Sequence, residues 1–231
     1  MDKKTAQEII TNTAIAYNAI AEKFDQTRKK YPWSEFWEFK RYIKFGNDVL
    51  DIGCGNGRLL TVLKDLKINY TGLDISKELI KKAKINFPDQ NFKVGNILET
   101  NIFKQYNHIF LLAVLHHIPS FELRFNLLRK IGKALKPGGY LFMTNWSLIG
   151  PPYSYLRFKN NLKTLFKLHK LDKNDLMISF TTNDRKIKVE RFIHVFTKKE
   201  LQNLADKTSF EIVKQDFGFK NFNHISIWKK I

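Results

Sequence analysis

A single cysteine, Cys54, stands in 231 residues, so neither an internal disulfide nor a cysteine-rich zinc site can form. Long hydrophobic runs are missing as well. No apolar stretch approaches the roughly 20 residues of a membrane-spanning helix, and Met1-Asp2-Lys3-Lys4 does not open a signal segment. The expected setting is cytoplasmic, without membrane contact. Acidic residues are scarce: 22 Asp+Glu face 40 Lys+Arg, a formal net charge of +18. Such an excess favours a polyanionic partner, nucleic acid first. The plain alternative is a lysine-rich surface that binds nothing.

Glycine is sparse too, yet three of the 11 fall within residues 53–57. There Val49-Leu50-Asp51-Ile52-Gly53-Cys54-Gly55-Asn56-Gly57 carries an apolar run into an acid and then a turn. A helical pattern, Arg58 to Leu63, follows at once. Only glycine lets a backbone approach a ligand so closely while turning into a helix. Seventeen residues beyond Gly57, a second apolar segment ends in Asp74, where an acid at a strand tip accepts from a ribose diol. Dinucleotide enzymes use a related turn. Asp51 in place of an apolar residue, and Gly-x-Gly-x-Gly in place of Gly-x-Gly-x-x-Gly, favour S-adenosylmethionine over a pyrophosphate.

Helical spacing runs over residues 5–24, and Ser34 is placed to cap a helix over 35–44 after Pro32 stops the preceding segment. Strands are expected at 48–52, 69–74, 91–95, 107–112 and 140–145, with helices at 57–65, 76–86 and 121–135 between them. A helix over 198–207 and apolar runs near 210–217 and 222–228 close the chain, with Gly218 at a hairpin turn. The expected fold is α/β and Rossmann-like: a seven-stranded, mostly parallel sheet with an antiparallel C-terminal hairpin and helices on both faces. One domain is expected, built as a helical cap (1–45), a cofactor-binding core (46–149), a lid (150–195) and a C-terminal helix with hairpin (196–231). From Arg157 to Arg191 the lid carries ten Lys/Arg against four Asp/Glu, interleaved with Tyr153, Tyr155, Phe158, Phe166 and Phe180. Its lysines suit RNA phosphates. Its aromatics are expected in the core, with Leu162, Leu165, Phe166 and Leu168 as a buried face.

The remaining strand ends complete a cofactor site. Asn96 can accept from an adenine amine, Ile97 can pack on the purine, and the chain passes beneath the sulfonium at Ala113. With Tyr17, Asp51, Gly53, Cys54, Gly55, Arg58, Asp74 and Ile75 these form the expected cofactor contacts, Cys54 as a small packing residue in the turn. Tyr17 and Trp33 could close over the cofactor or stack on an acceptor base. No metal is expected, since His116 and His117 are adjacent, face different ways, and lack a carboxylate or cysteine cluster.

Four segments together resemble the class I S-adenosylmethionine-dependent methyltransferases, and more closely the tRNA wobble-uridine carboxymethyl methyltransferases. They are Tyr17-Asn18 through Phe24-Asp25-Gln26-Thr27-Arg28 with Pro32-Trp33, Asp51 to Gly57, Ala113-Val114-Leu115-His116-His117, and Arg191-Phe192-Ile193-His194-Val195-Phe196. The resemblance spans about residues 10–146 and 190–205 and fades across the lid. It implies methyl transfer to the carboxylate of 5-carboxymethyluridine, tRNA as partner, and a small activator subunit, which eukaryotic members of that family need. A carboxylate is already ionised near neutral pH and needs no general base; it needs cations and donors. Arg28, His116, Arg191 and His194 are the candidates, with Arg28 alternatively holding the cofactor's own carboxylate. A small-molecule acid or quinone-precursor methyltransferase, or a silent RNA-binding subunit, are the competing readings.

Overall fold

Apolar residues on the central strands alternate sides: Val49 and Leu50, Ile109 and Phe110, Leu141 and Phe142 point to opposite faces and are all buried. A sheet apolar on both faces must be covered on both. In the structure, a computed structural model that describes residues 1–28, 33–148, 150–151, 153–181, 187–218 and 222–231, it is. Five parallel strands, β1 (Asp48–Ile52), β2 (Asn69–Asp74), β3 (Asn91–Val94), β4 (Tyr106–Leu112) and β5 (Leu135–Trp146), join the antiparallel β8 (Phe210–Phe217) and β9 (Asn223–Lys230). The order is β3-β2-β1-β4-β5-β9-β8. The connections reverse direction between β1 and β4, and ligands of such sheets lie at the strand C-termini there.

One face packs Leu50, Ile109, Leu141 and Trp228 against α6 (Phe121–Ala134) and α8 (Lys198–Lys207). The other packs Val49, Phe110 and Phe142 against α3 (Glu35–Lys40) and α4 (Leu60–Leu63). Ser76 caps α5 (Lys77–Asn86) as expected, its hydroxyl accepting from Leu79 N at 3.2 Å.

Several expected boundaries shift for physical reasons. The helix over 5–24 is two helices, α1 (Lys3–Ala19) and α2 (Ala21–Arg28). The break falls at Ile20, whose φ of −96° and ψ of 3° leave the helical range. Just before it, the side-chain oxygen of Asn18 ties the end of α1 to α5 by accepting from Ser76 Oγ at 2.8 Å and Glu78 N at 3.2 Å. Ser34 does not cap α3; its hydroxyl bonds Glu35 instead. The helix after the glycine turn shrinks to Leu60–Leu63, because Gly55 and Gly57 hold φ of +55° and +80°. β5 begins at Leu135, running through the Pro137-Gly138-Gly139 segment with a bulge opposite Tyr106–His108. Pro32, expected to stop the segment before the 35–44 helix, lies outside the described residues.

The lid contains α7 (Tyr153–Leu165) and an antiparallel pair, β6 (Asp175–Thr181) and β7 (Lys188–His194). It overturns the expected packing of its aromatics. The polar side of α7 faces inward: Asn160 donates to Asp175 O, Asn161 pairs with Asn174, and Thr164 bonds Leu171 O. The apolar side, Tyr155, Phe158, Leu162, Leu165 and Phe166, points to solvent with Leu168 beyond it, each about half exposed or more. Phe180 packs against Arg191, and Phe192 of β7 is buried.

The hairpin is locked to the body at its other end. His194 hydrogen-bonds Asp175 at 2.7 Å through Nδ1 and Glu200 at 2.8 Å through Nε2. His194→Leu is expected to cost about 2–4 kcal/mol by leaving the fully buried Asp175 carboxylate short of a donor. Urea unfolding of the two proteins checks it.

Candidate active site

The glycine turn is held from two sides. Leu73 O accepts from Gly53 N and Cys54 N at 2.7 and 3.2 Å. Asp74 accepts from Gly55 N through one oxygen and from Ser76 N through the other, both at 2.8 Å. The turn therefore wraps the tip of β2 and presents Asp74 beside its own backbone. Gly53 has φ +71°, and a Cβ there would lie 2.2 Å from a Val114 methyl. Gly53→Ala is thus expected to lower the melting temperature by several degrees and the affinity for cofactor at least tenfold. Thermal unfolding with and without S-adenosylmethionine tests this.

Above the turn lies a cavity of about 170 Å³. All eleven residues expected at the cofactor line it: Tyr17, Asp51, Gly53, Cys54, Gly55, Arg58, Asp74, Ile75, Asn96, Ile97 and Ala113. Asn96 is partly engaged already, its oxygen accepting from Leu98 N and its amide donating to Glu99. Ala113 holds φ +59°, unusual for a residue with a Cβ. Two hydrogen bonds from its N–H, to Thr144 O and Oγ1, fix that conformation where β4 ends.

The Phe24 to Arg28 segment acts on the same turn. The Phe24 ring would lie 3.4 Å from a Cβ at Gly55. Asp25 accepts from Asn56 and Asn86, both at 2.8 Å, tying α2 to the turn and to α5. Arg28 reaches the cavity and sits over Phe24.

Of the four acceptor candidates, Arg28 and Arg191 line the cavity. His116 and His194 do not. The 3₁₀ turn over Leu115–His117 buries the His116 ring completely, with Nδ1 accepting from Trp146 N at 3.3 Å. One residue further round, His117 faces the cavity instead. His194 is spent on Asp175 and Glu200. Trp146 also lines the cavity, and no sequence pattern pointed to it.

Electrostatics divide the site. Asp51 accepts from Tyr70 OH at 2.8 Å through one oxygen, and its other oxygen is buried without a partner. Burial, opposed by the Tyr70 bond and reinforced by Asp74, pushes its carboxyl up to about 7. Burial likewise raises Asp74 to about 6 against the Ser76 and Gly55 N–H bonds. Two such carboxyls beside an open cavity call for a cation. Conversely, Arg28, Arg58 and Arg191 have no acid within 4 Å among the described residues. Arg58 stacks over Trp33 at 4.2 Å, and burial pushes it down to about 10. Burial raises the Cys54 thiol well above its ordinary range, which suits packing and not nucleophilic attack. Among the described residues no cluster of three His, Cys, Asp or Glu is placed to hold a metal. No helix among them is long and apolar enough to cross a membrane.

The methyltransferase-domain family matches residues 24–215. The chain belongs to that family. A tRNA (carboxymethyluridine(34)-5-O)-methyltransferase of Saccharomyces cerevisiae is 34% identical over 135 residues, 57% of this chain and 47% of that protein. The mouse enzyme of that name, ALKBH8, is 32% identical over 57% of this chain and 19% of its own. The match thus spans between about a fifth and about half of these relatives. An uncharacterized Methanocaldococcus jannaschii protein is 31% identical over 85% of this chain and 75% of its own. Among solved structures, a Methanosarcina mazei S-adenosylmethionine-dependent methyltransferase superposes with a TM-score of 0.68 at 23% identity, covering 87% of this chain and 98% of that one. That likeness is one of fold.

The cofactor is S-adenosylmethionine, and the residues fit it. The orphaned Asp51 oxygen suits the ammonium, Asp74 the ribose diol, and Ile75 and Ile97 the adenine faces. Gly53 leaves the close approach free, and an unpaired arginine can receive the cofactor's carboxylate.

Proposed function

We propose that this chain methylates a carboxylate on a tRNA nucleoside, that of 5-carboxymethyluridine at the wobble position. The observation that carries the reading is Arg191. It is 7% exposed, lacks an acid partner among the described residues, lies between Trp146 and Phe180, and faces the cavity. A buried guanidinium without a counter-ion is costly unless a ligand supplies the anion. The cofactor's carboxylate can use Arg58 or Arg28, which leaves Arg191 for a second anion. The names of the yeast and mouse relatives point to the same acceptor.

When bound, the cofactor supplies an electrophilic sulfonium methyl. The chain's part is alignment. Arg191 holds the acceptor carboxylate, and the Ala113 turn and Gly53 set the approach. A carboxylate acceptor is already ionised, so no residue of the chain would need to remove a proton from it. His117 is suited to this inactivity: burial, opposed by its bond to Phe192 O and reinforced by Arg191, pushes it down to about 4.

RNA as the carrier of that acceptor is supported by α7. The exposed rings of Tyr155 and Phe158 on α7 and of Phe166 just beyond it stand among Arg157, Lys159, Lys163 and Lys167, and stacking on rings beside cations is how single strands are held. A small activator subunit is the second proposed partner. The deciding assay is transfer from labelled S-adenosylmethionine into tRNA lacking wobble methylation, with and without such a subunit, read by nucleoside mass spectrometry. The methyl ester of 5-carboxymethyluridine is expected. Label in small acids alone would replace this reading with the small-molecule one. Charge reversal at Lys159 and Lys163 is expected to weaken tRNA binding about tenfold at low salt and to flatten its salt dependence.

A further inference from the structure

Tyr17 approaches His117 from α1, with its hydroxyl 2.8 Å from Nε2. The opposite ring nitrogen, Nδ1, lies 2.7 Å from Phe192 O. A carbonyl oxygen only accepts, so Nδ1 carries a proton. In the neutral ring Nε2 is then a lone pair, and the Tyr17 O–H donates to it. The Tyr17 oxygen keeps its own lone pairs and lines the same cavity as Arg191, whose charge acts on it. Arg191 and Phe192 are successive residues of β7. One strand therefore delivers both the guanidinium and the carbonyl that sets the histidine's tautomer.

We propose that Tyr17 and His117 are positioning residues for the acceptor carboxylate. His117 turns the Tyr17 proton away from the cavity, so that the Tyr17 oxygen receives one edge of Arg191 and aims the remaining donors at the acceptor. The proposal rests on the carboxylate reading above and deepens it. Trp146 and Phe180, with Arg191 Cζ 4.9 and 4.7 Å from their ring centres, pack against the guanidinium from the side chain of β5 and of β6. In the proposed arrangement the Tyr17 oxygen sets its rotation. Arg191 Nε has no partner, so the group keeps donor capacity for a ligand. The same arrangement selects the substrate. Both nitrogens of His117 are used and the Tyr17 proton is already placed, so neither can take a proton from a hydroxyl acceptor. The groups facing His117 are Tyr17, Arg191, the His116 ring at 4.3 Å and the Trp146 ring at 6.1 Å. None is an acid that would hold it protonated.

The test compares Tyr17→Phe, His117→Leu, His117→Gln and the Tyr17→Phe/His117→Leu double variant, each loaded with S-adenosylhomocysteine. Binding of 5-carboxymethyluridine and of its amide counterpart is titrated. Carboxylate affinity is expected to fall about 10–100-fold in Tyr17→Phe and His117→Leu, and no further in the double variant. The His117→Gln amide spans the same two bonds and should stay within about threefold of the parent. Amide binding should change little throughout, and S-adenosylhomocysteine affinity should change little in the His117 variants. An equal loss of S-adenosylhomocysteine affinity in the His117 variants, or additive losses in the double variant, would overturn the proposal. Nitrogen-15 spectra of labelled histidine give a readout that needs no acceptor. A neutral Nδ1–H tautomer for His117 from pH 5.5 to 8 is expected; an Nε2–H tautomer or an imidazolium signal at pH 6.5 sinks the idea. If the tautomer is as stated while the parent protein ignores 5-carboxymethyluridine, the acceptor assignment fails and the proton placement is upheld.

Discussion

Arg191→Ala is expected to lower kcat/KM for the carboxylate acceptor by about 10²–10³-fold while leaving S-adenosylmethionine affinity within about twofold. Truncation removes the one cavity cation that is buried, stacked between two rings and free of any acid among the described residues. A charge-assisted, desolvated pair of this kind is worth about 3–4 kcal/mol when one partner is deleted. Arg191→Lys should recover only part of the loss, because an ammonium has neither the planar stack nor the bidentate fork. Steady-state kinetics on RNA carrying 5-carboxymethyluridine, with calorimetric cofactor titrations, read the two quantities separately. Equal losses in both would move Arg191 to the cofactor's carboxylate and leave the acceptor end to Arg28.

The second large effect concerns Asp51. Its folded-state value of about 7 lies above the ordinary 3.8. The folded chain therefore binds a proton that the unfolded chain gives up between about pH 4 and 7, and stability falls as pH rises through that window. Three units correspond to about 4 kcal/mol, as an order of magnitude. Asp51→Asn removes the ionisable group. The variant without cofactor is expected to melt higher than the parent at pH 8 and close to it at pH 4. Cofactor affinity should fall about 100-fold, since the ammonium loses its anion. In the parent, the melting-temperature gain from S-adenosylmethionine should grow between pH 5 and 8, because the cation favours the ionised carboxylate. Thermal scans at three pH values, with and without cofactor, check all of this. A parent whose cofactor-dependent gain is flat with pH would mean that Asp51 is not the ammonium's counter-charge.

Both predictions fall on residues that the sequence marked, but the reasons differ. Asp51 was legible because its neighbours are local: an acid before Gly-x-Gly-x-Gly can face only the ligand side of the turn it opens. Asp74 was legible for the same reason, since a strand tip projects its last side chain into the crevice. Local chain geometry therefore made the cofactor, the sheet and the turn and strand-tip residues lining the cavity legible.

What it could not determine were facts set by distant packing. Which histidine of His116-His117 turns to the cavity depends on a 3₁₀ turn clamped between β5 and β7, some 30 and 75 residues away in the chain. His194 looked like a site residue until Asp175 and Glu200 claimed both ring nitrogens. The stripe on α7 has the spacing of a buried face, and spacing alone does not say which side meets the body. Asn160, Asn161 and Thr164 settled that by finding partners on the loop and strand beside them. The sequence by itself determined the turn chemistry, the charge and the strand order's crevice, because these follow from dihedral limits and nearest neighbours. Only the tertiary structure decided which acid-free arginine is buried between two rings and which tyrosine hydroxyl meets His117. Pairing is a property of groups brought together from α1, β5 and β7, and no single stretch of chain contains it.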